Sequence, residues 1–265
     1  MTTTTTPRTT TAPRGRALAR MTATEARMML RDPSVAFFSV VFPALLLVVL
    51  GVAMPWADEP YDTSDPLLAR ITAITGYTPI VLSLAIATVA LSTFPATVAT
   101  YRQRGVLRRL STTPVGPGRL LVAQVLVNLG ALLLAAALAV TAGLVVLDIA
   151  APTQPLLLLG VFVLAVVAVF AMGALVAALA PTAAAANGWG MILYFGSLFF
   201  AGVWLPMPVM PEVVQQIATY LPLGAASQAM TAVWVGQPFP TTQVLVLAGW
   251  TLLATPVAAK LFRWS

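Results

Sequence analysis

From Ile149 to Pro211 the chain carries no aspartate, glutamate, lysine or arginine. A soluble domain covers itself with about 25% charged residues, and a charge-free stretch of this length has no counterpart on such a surface. A helix that crosses a hydrocarbon core of roughly 30 Å needs about 20 apolar residues, so the stretch is long enough for two crossings. The whole chain extends the pattern: 265 residues, 59% hydrophobic and 8% charged, with a mean hydropathy of +0.93. Lipid is therefore the solvent. A helix is the backbone form that satisfies its own hydrogen bonds within one membrane segment, which sets the expected class as an all-α integral membrane protein. The spans consume almost the whole length, and no remaining loop could bury a core of its own.

Punctuation by charge, proline and glycine divides the chain into six transmembrane helices, at about 35–54, 79–100, 120–147, 155–180, 188–205 and 242–259. The uncharged run from Ile71 to Thr100 is longer than one crossing, so the second span is set to start near Pro79 and to project beyond the membrane. Residues 1–16, with their threonine run, show no apolar periodicity and are expected to form a disordered tail. Over 17–31, Arg20, Thr24, Arg27 and Arg31 recur on one face and Leu18, Met21, Met28 and Met29 on the other, the pattern of an interfacial amphipathic helix. Glu25 falls on the apolar side, where it either snorkels or pairs with an arginine, or makes an internal contact to a cytosolic loop or a partner ATPase. The remainder, 32–265, forms one transmembrane domain.

Between Pro206 and Pro240 prolines, among them Pro206, Pro208, Pro211 and Pro222, interrupt the apolar pattern. Gln215, Gln216 and Gln228 add a polar load. A re-entrant or interfacial hairpin on the extracellular side suits this segment better than a seventh span. Orientation supports the same count. With both termini in the cytosol, Arg8, Arg14, Arg16, Arg20, Arg27, Arg31, Arg102, Arg104, Arg108, Arg109, Arg119, Lys260 and Arg263 lie inside, thirteen of the fourteen basic residues, and only Arg70 lies outside. A seventh span would place Lys260 and Arg263 on the wrong side.

The chain has neither cysteine nor histidine, which removes thiol nucleophiles, imidazole bases and the common zinc ligand sets. It has no G-x-x-x-x-G-K-[ST] sequence, and its one lysine is Lys260, so ATP and magnesium are not expected to bind here. The basic residues follow the positive-inside pattern rather than that of a nucleic-acid surface. No acidic or basic residue falls within a span to act as a proton relay or sodium site, which counts against secondary transport.

The most informative stretch is the basic loop from Tyr101 to Val115. Val106, Leu107 and Leu110 share one face of a short helix expected over Val106 to Thr112, with Arg104 and Arg108 one turn apart. Gly105 permits a sharp exit from the second span, and Thr113-Pro114 ends the short helix. Here the sequence resembles the ABC type-2 permease family, in which an R-x-x-G-x-L-x-x-L-x-x-T-P loop joins the second and third spans. The pattern reads Arg102, Gly105, Leu107, Leu110, Thr113 and Pro114 in this chain. The resemblance continues in Arg31-Asp32-Pro33, in Pro43, in Phe200 to Pro206, in Met210-Pro211 and in Tyr220 to Leu223. Many members carry an acidic residue just before the loop glycine; this chain has Gln103-Arg104 instead.

The resemblance implies a permease subunit of a multidrug or antibiotic efflux system in a bacterial inner membrane, paired with a second copy around a central path. The basic loop would be a coupling helix, in which Arg102, Arg104, Gly105, Leu107, Arg108, Leu110, Thr113 and Pro114 meet a separate ABC ATPase that binds ATP and magnesium. Relatives tend to line the cargo path with the second and fifth spans. Those spans offer Ser83, Thr88, Ser92 and Phe94, and Tyr194, Phe195, Ser197 and Phe199. Apolar, uncharged spans suit an amphiphilic drug-like or lipid-like cargo better than a sugar chain. Export of a polysaccharide or teichoic acid, and a non-transporting assembly or sensor role, are the rival readings. Gln124 and Asn128, one turn apart on the third span, are expected to bond neighbouring helices rather than a ligand.

Overall fold

The computed structural model describes residues 14–113 and 116–261. Most of the expected tail therefore lies outside the described residues, as do Pro114 of the loop motif and Arg263; residues 14–16 already belong to a helix. The described residues form helices joined by turns, with one isolated bridge between Pro60 and Thr72 as the extended pairing among them. In chain order the helices are α1 (Arg14–Arg31), α2 (Pro33–Ala53), α3 (Ala73–Gln103), α4 (Val106–Ser111), α5 (Pro117–Val146), α6 (Pro155–Leu179), α7 (Ala183–Phe200), α8 (Glu212–Tyr220), α9 (Pro222–Val235) and α10 (Thr241–Leu261). Six of them, α2, α3, α5, α6, α7 and α10, are long and apolar enough to cross a membrane.

Helix α3 is the central post. It begins at Ala73 rather than near Pro79, because a proline within a membrane helix is tolerated where packed neighbours and hydroxyls re-satisfy the backbone. Its 31 residues extend about 46 Å at a rise of ~1.5 Å per residue, well past a hydrocarbon core. The run from Ile74 to Leu91 is buried throughout. Lipid tails are as apolar as leucine, so close contact and internal hydrogen bonds, not water release, hold such a helix in place. The buried hydroxyls bond back along it: Thr78 donates to Ile74 O (3.1 Å), Ser83 to Pro79 O (3.1 Å) and Thr88 to Leu84 O (2.8 Å).

Both α2 and α3 contain a π-helical turn, Phe37–Val41 and Thr88–Thr93, and in each the turn is followed at once by Phe-Pro. The proline lacks an amide proton and its ring crowds the carbonyl four residues back, and one extra residue in the preceding turn relieves that clash. The two turns meet at Ser39 and Thr93, whose hydroxyls lie 3.5 Å apart. On its other sides the π turn of α3 presses against Gly173 of α6 and Gly190 of α7, where a Cβ would fall on the carbonyl oxygens of Ala90 and Leu91.

The segment Pro206 to Pro240 folds as two helices, α8 and α9, which meet at Leu221-Pro222. The 14 residues of α9 reach only about 21 Å, short of a crossing. Gln215 and Gln228 make internal hydrogen bonds, whereas Gln216 is exposed. Gln228 accepts from Thr219 (2.9 Å) and Gln243 (3.1 Å), and Gln215 donates to Met210 O (2.9 Å). Tyr77 fixes the nearby chain by donating to Val203 O (2.5 Å), and Ser227 by donating to Ala201 O (2.7 Å).

Candidate functional site

Three features converge at or near the end of the bundle formed by α1, the C-terminal half of α3, and α4. The first is the turn into α4. Gly105 adopts φ +68, a left-handed conformation that a Cβ disfavours, and this turns the chain sharply out of α3. Arg109 Nη2 donates to Arg104 O (3.1 Å) and Arg109 N to Gly105 O (3.0 Å), closing the corner. The short helix ends at Ser111, one residue before the expected boundary. Arg104, Arg108, Arg109 and Thr113 are exposed and Leu110 is half-buried, so all five are accessible at this corner.

The other motif residues turn inward. Leu107 is fully buried and anchors α4 to the bundle. Arg102 donates from Nη1 to Ala177 O (2.9 Å) and from Nη2 to Ala180 O, the free carbonyls at the C-terminal end of α6, where a cation suits the helix dipole. Gln103, two residues before Gly105, accepts from Ala183 N (3.1 Å) at the start of α7. The spacing of the loop could not reveal this division, since the receiving carbonyls and amide lie some 75 to 80 residues away.

The second feature is a groove of ≈ 620 Å³ between α2, α3 and α7. Of the residues expected on a cargo path it brings together Thr88, Ser92, Tyr194 and Phe195. Tyr194 and Thr88 place their hydroxyls 3.2 Å apart across the groove wall, and the ring of Phe195 lies 5.2 Å from that of Tyr194. Ser83 is sealed in the core, Phe94 packs on Phe170 (5.5 Å), and Ser197 and Phe199 lie away from the groove. Sequence reasoning missed Phe38, Phe42 and Trp204, which also line it; the aromatic cluster around Phe-Pro in the first span was the available signal.

The third is the surrounding of Glu25. Its side chain is 7% exposed and stands on the face of α1 that packs against α5. Glu25 Oε2 accepts from the Tyr101 hydroxyl (2.6 Å) and from the Gln124 amide. Asn128 in turn donates to Gln124 O (2.8 Å). Where the sequence left Glu25 open between snorkelling or an arginine and a contact to a loop or partner, its carboxylate joins three helices through Tyr101 and Gln124; Gln124 bonds across to α1 and Asn128 bonds along α5. Asp32, just outside the first span, caps α2 by accepting from Ser34 and Val35, and these hydrogen bonds, led by that from the Ser34 hydroxyl, hold its carboxyl below the usual range.

No curated protein matches the chain. Residues 16–234 match the family model of the ABC-2 type transporter, a stretch that takes in α1, the α3–α4 turn and the groove, and the chain therefore belongs to the ABC-2 type transporter family as a multi-pass membrane permease component.

Proposed function

We propose that the chain is the transmembrane subunit of an ABC exporter that carries an amphiphilic, drug-like or lipid-like compound out of a bacterial cell, driven by ATP hydrolysed on a separate subunit. Both termini, α1 and α4 face the cytosol, and Asp58 to Asp65 and the α8–α9 hairpin face outward. The observation that carries this reading is the face of α4. Three arginines and a half-buried leucine are presented at the foot of the central helix, while the motif's other residues lock that foot to α6 and α7. A surface so fixed is suited to receive a push from a docked ATPase. Two copies, paired along the exposed apolar faces of α2 and α7, would bring two grooves together around one path.

Leu110→Asp tests the docking. An unpaired carboxylate buried in an interface costs several kcal/mol, so the variant should lose co-purification of the ATPase and cargo-stimulated ATP hydrolysis, while the permease itself inserts and folds. Gln154→Asp, in the loop at the other end, is the control. Normal co-purification and stimulation in the Leu110 variant would remove the coupling role from α4.

A further inference from the structure

The apolar groove adjoins a second cavity. Val35 and Thr93 line the ≈ 620 Å³ groove and also a polar cavity of ≈ 160 Å³ beside α1, so the two share a wall. The polar cavity is faced by Glu25, Asp32, Tyr101, Gln124 and Asn128. Both donors to Glu25 are neutral and both take Oε2, so no hydrogen bond among the described residues reaches Oε1. Among those residues no side-chain polar atom sealed from the surface lacks a partner, so Oε1 is not sealed, and Glu25 is one of the residues that line the cavity. A carboxylate largely withdrawn from water and bonded only to neutral donors retains its demand for a positive charge, and its field is less screened than at an open surface.

The cavity suits one kind of cation. Asp32 gives Oδ1 to the cap of α2, and its second oxygen with Glu25 and a few amides falls short of the six to eight oxygens that calcium takes; no group of three or more acidic residues that could hold a metal ion occurs among the described residues. An alkylammonium offers three N–H donors, enough for Glu25 Oε1 and neighbouring oxygens of Asn128, Thr93 or Thr97. Its apolar remainder would pass Val35 and Thr93 into the groove, against Phe38, Phe42 and Tyr194. On α1, Arg16, Arg20, Arg27 and Arg31 are exposed, and Arg104, whose charge reaches Tyr101, is exposed as well, so solvent and salt screen them.

We infer that the Glu25 cavity and the adjoining groove form one binding site for an amphiphilic organic cation, with the ammonium at Glu25 and the apolar body between α2, α3 and α7. This names the cargo class of the export reading and rests on it.

The test titrates the full-length permease, in nanodiscs of neutral phosphatidylcholine, with octylammonium, octanol and octanoate, and subtracts the heat of empty nanodiscs. Octylammonium should bind saturably and at least about tenfold tighter than octanol, the worth of one charge-assisted hydrogen bond, and octanoate should bind weakest. Glu25→Gln should bring octylammonium to the level of octanol and leave octanol within about twofold of its original value; Glu25→Asp, which keeps the charge, should retain part of the preference. Equal binding of octylammonium and octanol by the unaltered protein overturns the site, whatever becomes of the variants. Co-reconstitution with the ATPase separates the two readings. Glu25-dependent binding without ATP-driven movement of any probe would leave the site standing and remove export, whereas ATP-driven movement of octanol with no preference for octylammonium would remove the cation site and leave export.

Discussion

Gly173 and Gly190 stand where the carbonyl oxygens of Ala90 and Leu91 leave the π turn of α3, and neither position has room for a methyl group. Gly173→Ala must push backbone away from backbone, a form of overpacking that costs about 1–3 kcal/mol. Gly188, two residues from Gly190 on an exposed face with open space around it, makes the contrast: Gly188→Ala should stabilise α7 by about 0.5–1 kcal/mol through chain entropy alone. Thermal unfolding in detergent should show the first midpoint falling and the second rising. Equal shifts would mean that the contact with α3 is softer than its geometry. Residues of this kind mark the limit of what one sequence discloses. Gly105 could be read because its turn is local, and Glu25 could be flagged because it breaks the polarity of its own helix. The partners of Glu25, Tyr101 and Gln124, come from α3 and α5 at separations of 76 and 99 residues, and no periodicity connects them.

At the scale of elements, Arg102 ties the foot of α3 to the end of α6. Arg102→Gln gives up two charge-assisted hydrogen bonds to carbonyls, worth roughly 1.5–3 kcal/mol each, whereas Arg108 is exposed and its loss should change stability by no more than about 0.5 kcal/mol. The thermal midpoint should therefore fall clearly for Arg102→Gln and stay in place for Arg108→Gln. If the two variants unfold alike, the foot of α3 is held by packing rather than by this clamp. Five of the six long helices could be placed from hydropathy because each holds about a membrane thickness of apolar residues; α7, whose 18 residues reach about 27 Å, starts at Ala183 rather than at 188, because the small-residue run before Gly188 is helical and capped by Thr182. The start of α3 was misplaced because Pro79 resembles a helix opener, and in water it usually would be. The π turns left no trace in hydropathy, since one added residue keeps a segment equally apolar. Phe42-Pro43 and Phe94-Pro95 were the readable sign, a repeat whose meaning depends on two helices meeting at Ser39 and Thr93.

For the molecule as a whole, the absence of native cysteine permits a direct test of orientation. Single cysteines at Gln216 on α8 and at Arg108 on α4 are both on exposed residues. An impermeant thiol reagent added outside intact cells should label the first and spare the second until the membrane is opened. Labelling of the second from outside would invert the topology and, with it, the place of ATP hydrolysis. The central position of α3 has a mechanical meaning. Its tightest contacts, at Ala90 and Leu91, divide it into an upper arm, Ala73–Ala87, of 15 residues and a lower arm, Phe94–Gln103, of 10, the lower one ending at the corner before α4. A rod pivoting at that point has arms of about 22 and 15 Å, so a tilt that moves the lower tip by about 2 Å swings the upper tip by about 3 Å. Helix α3 has the proportions of a lever with its fulcrum at two glycines, and under the proposed coupling a small stroke beside α4 would be delivered enlarged at the far mouth of the groove.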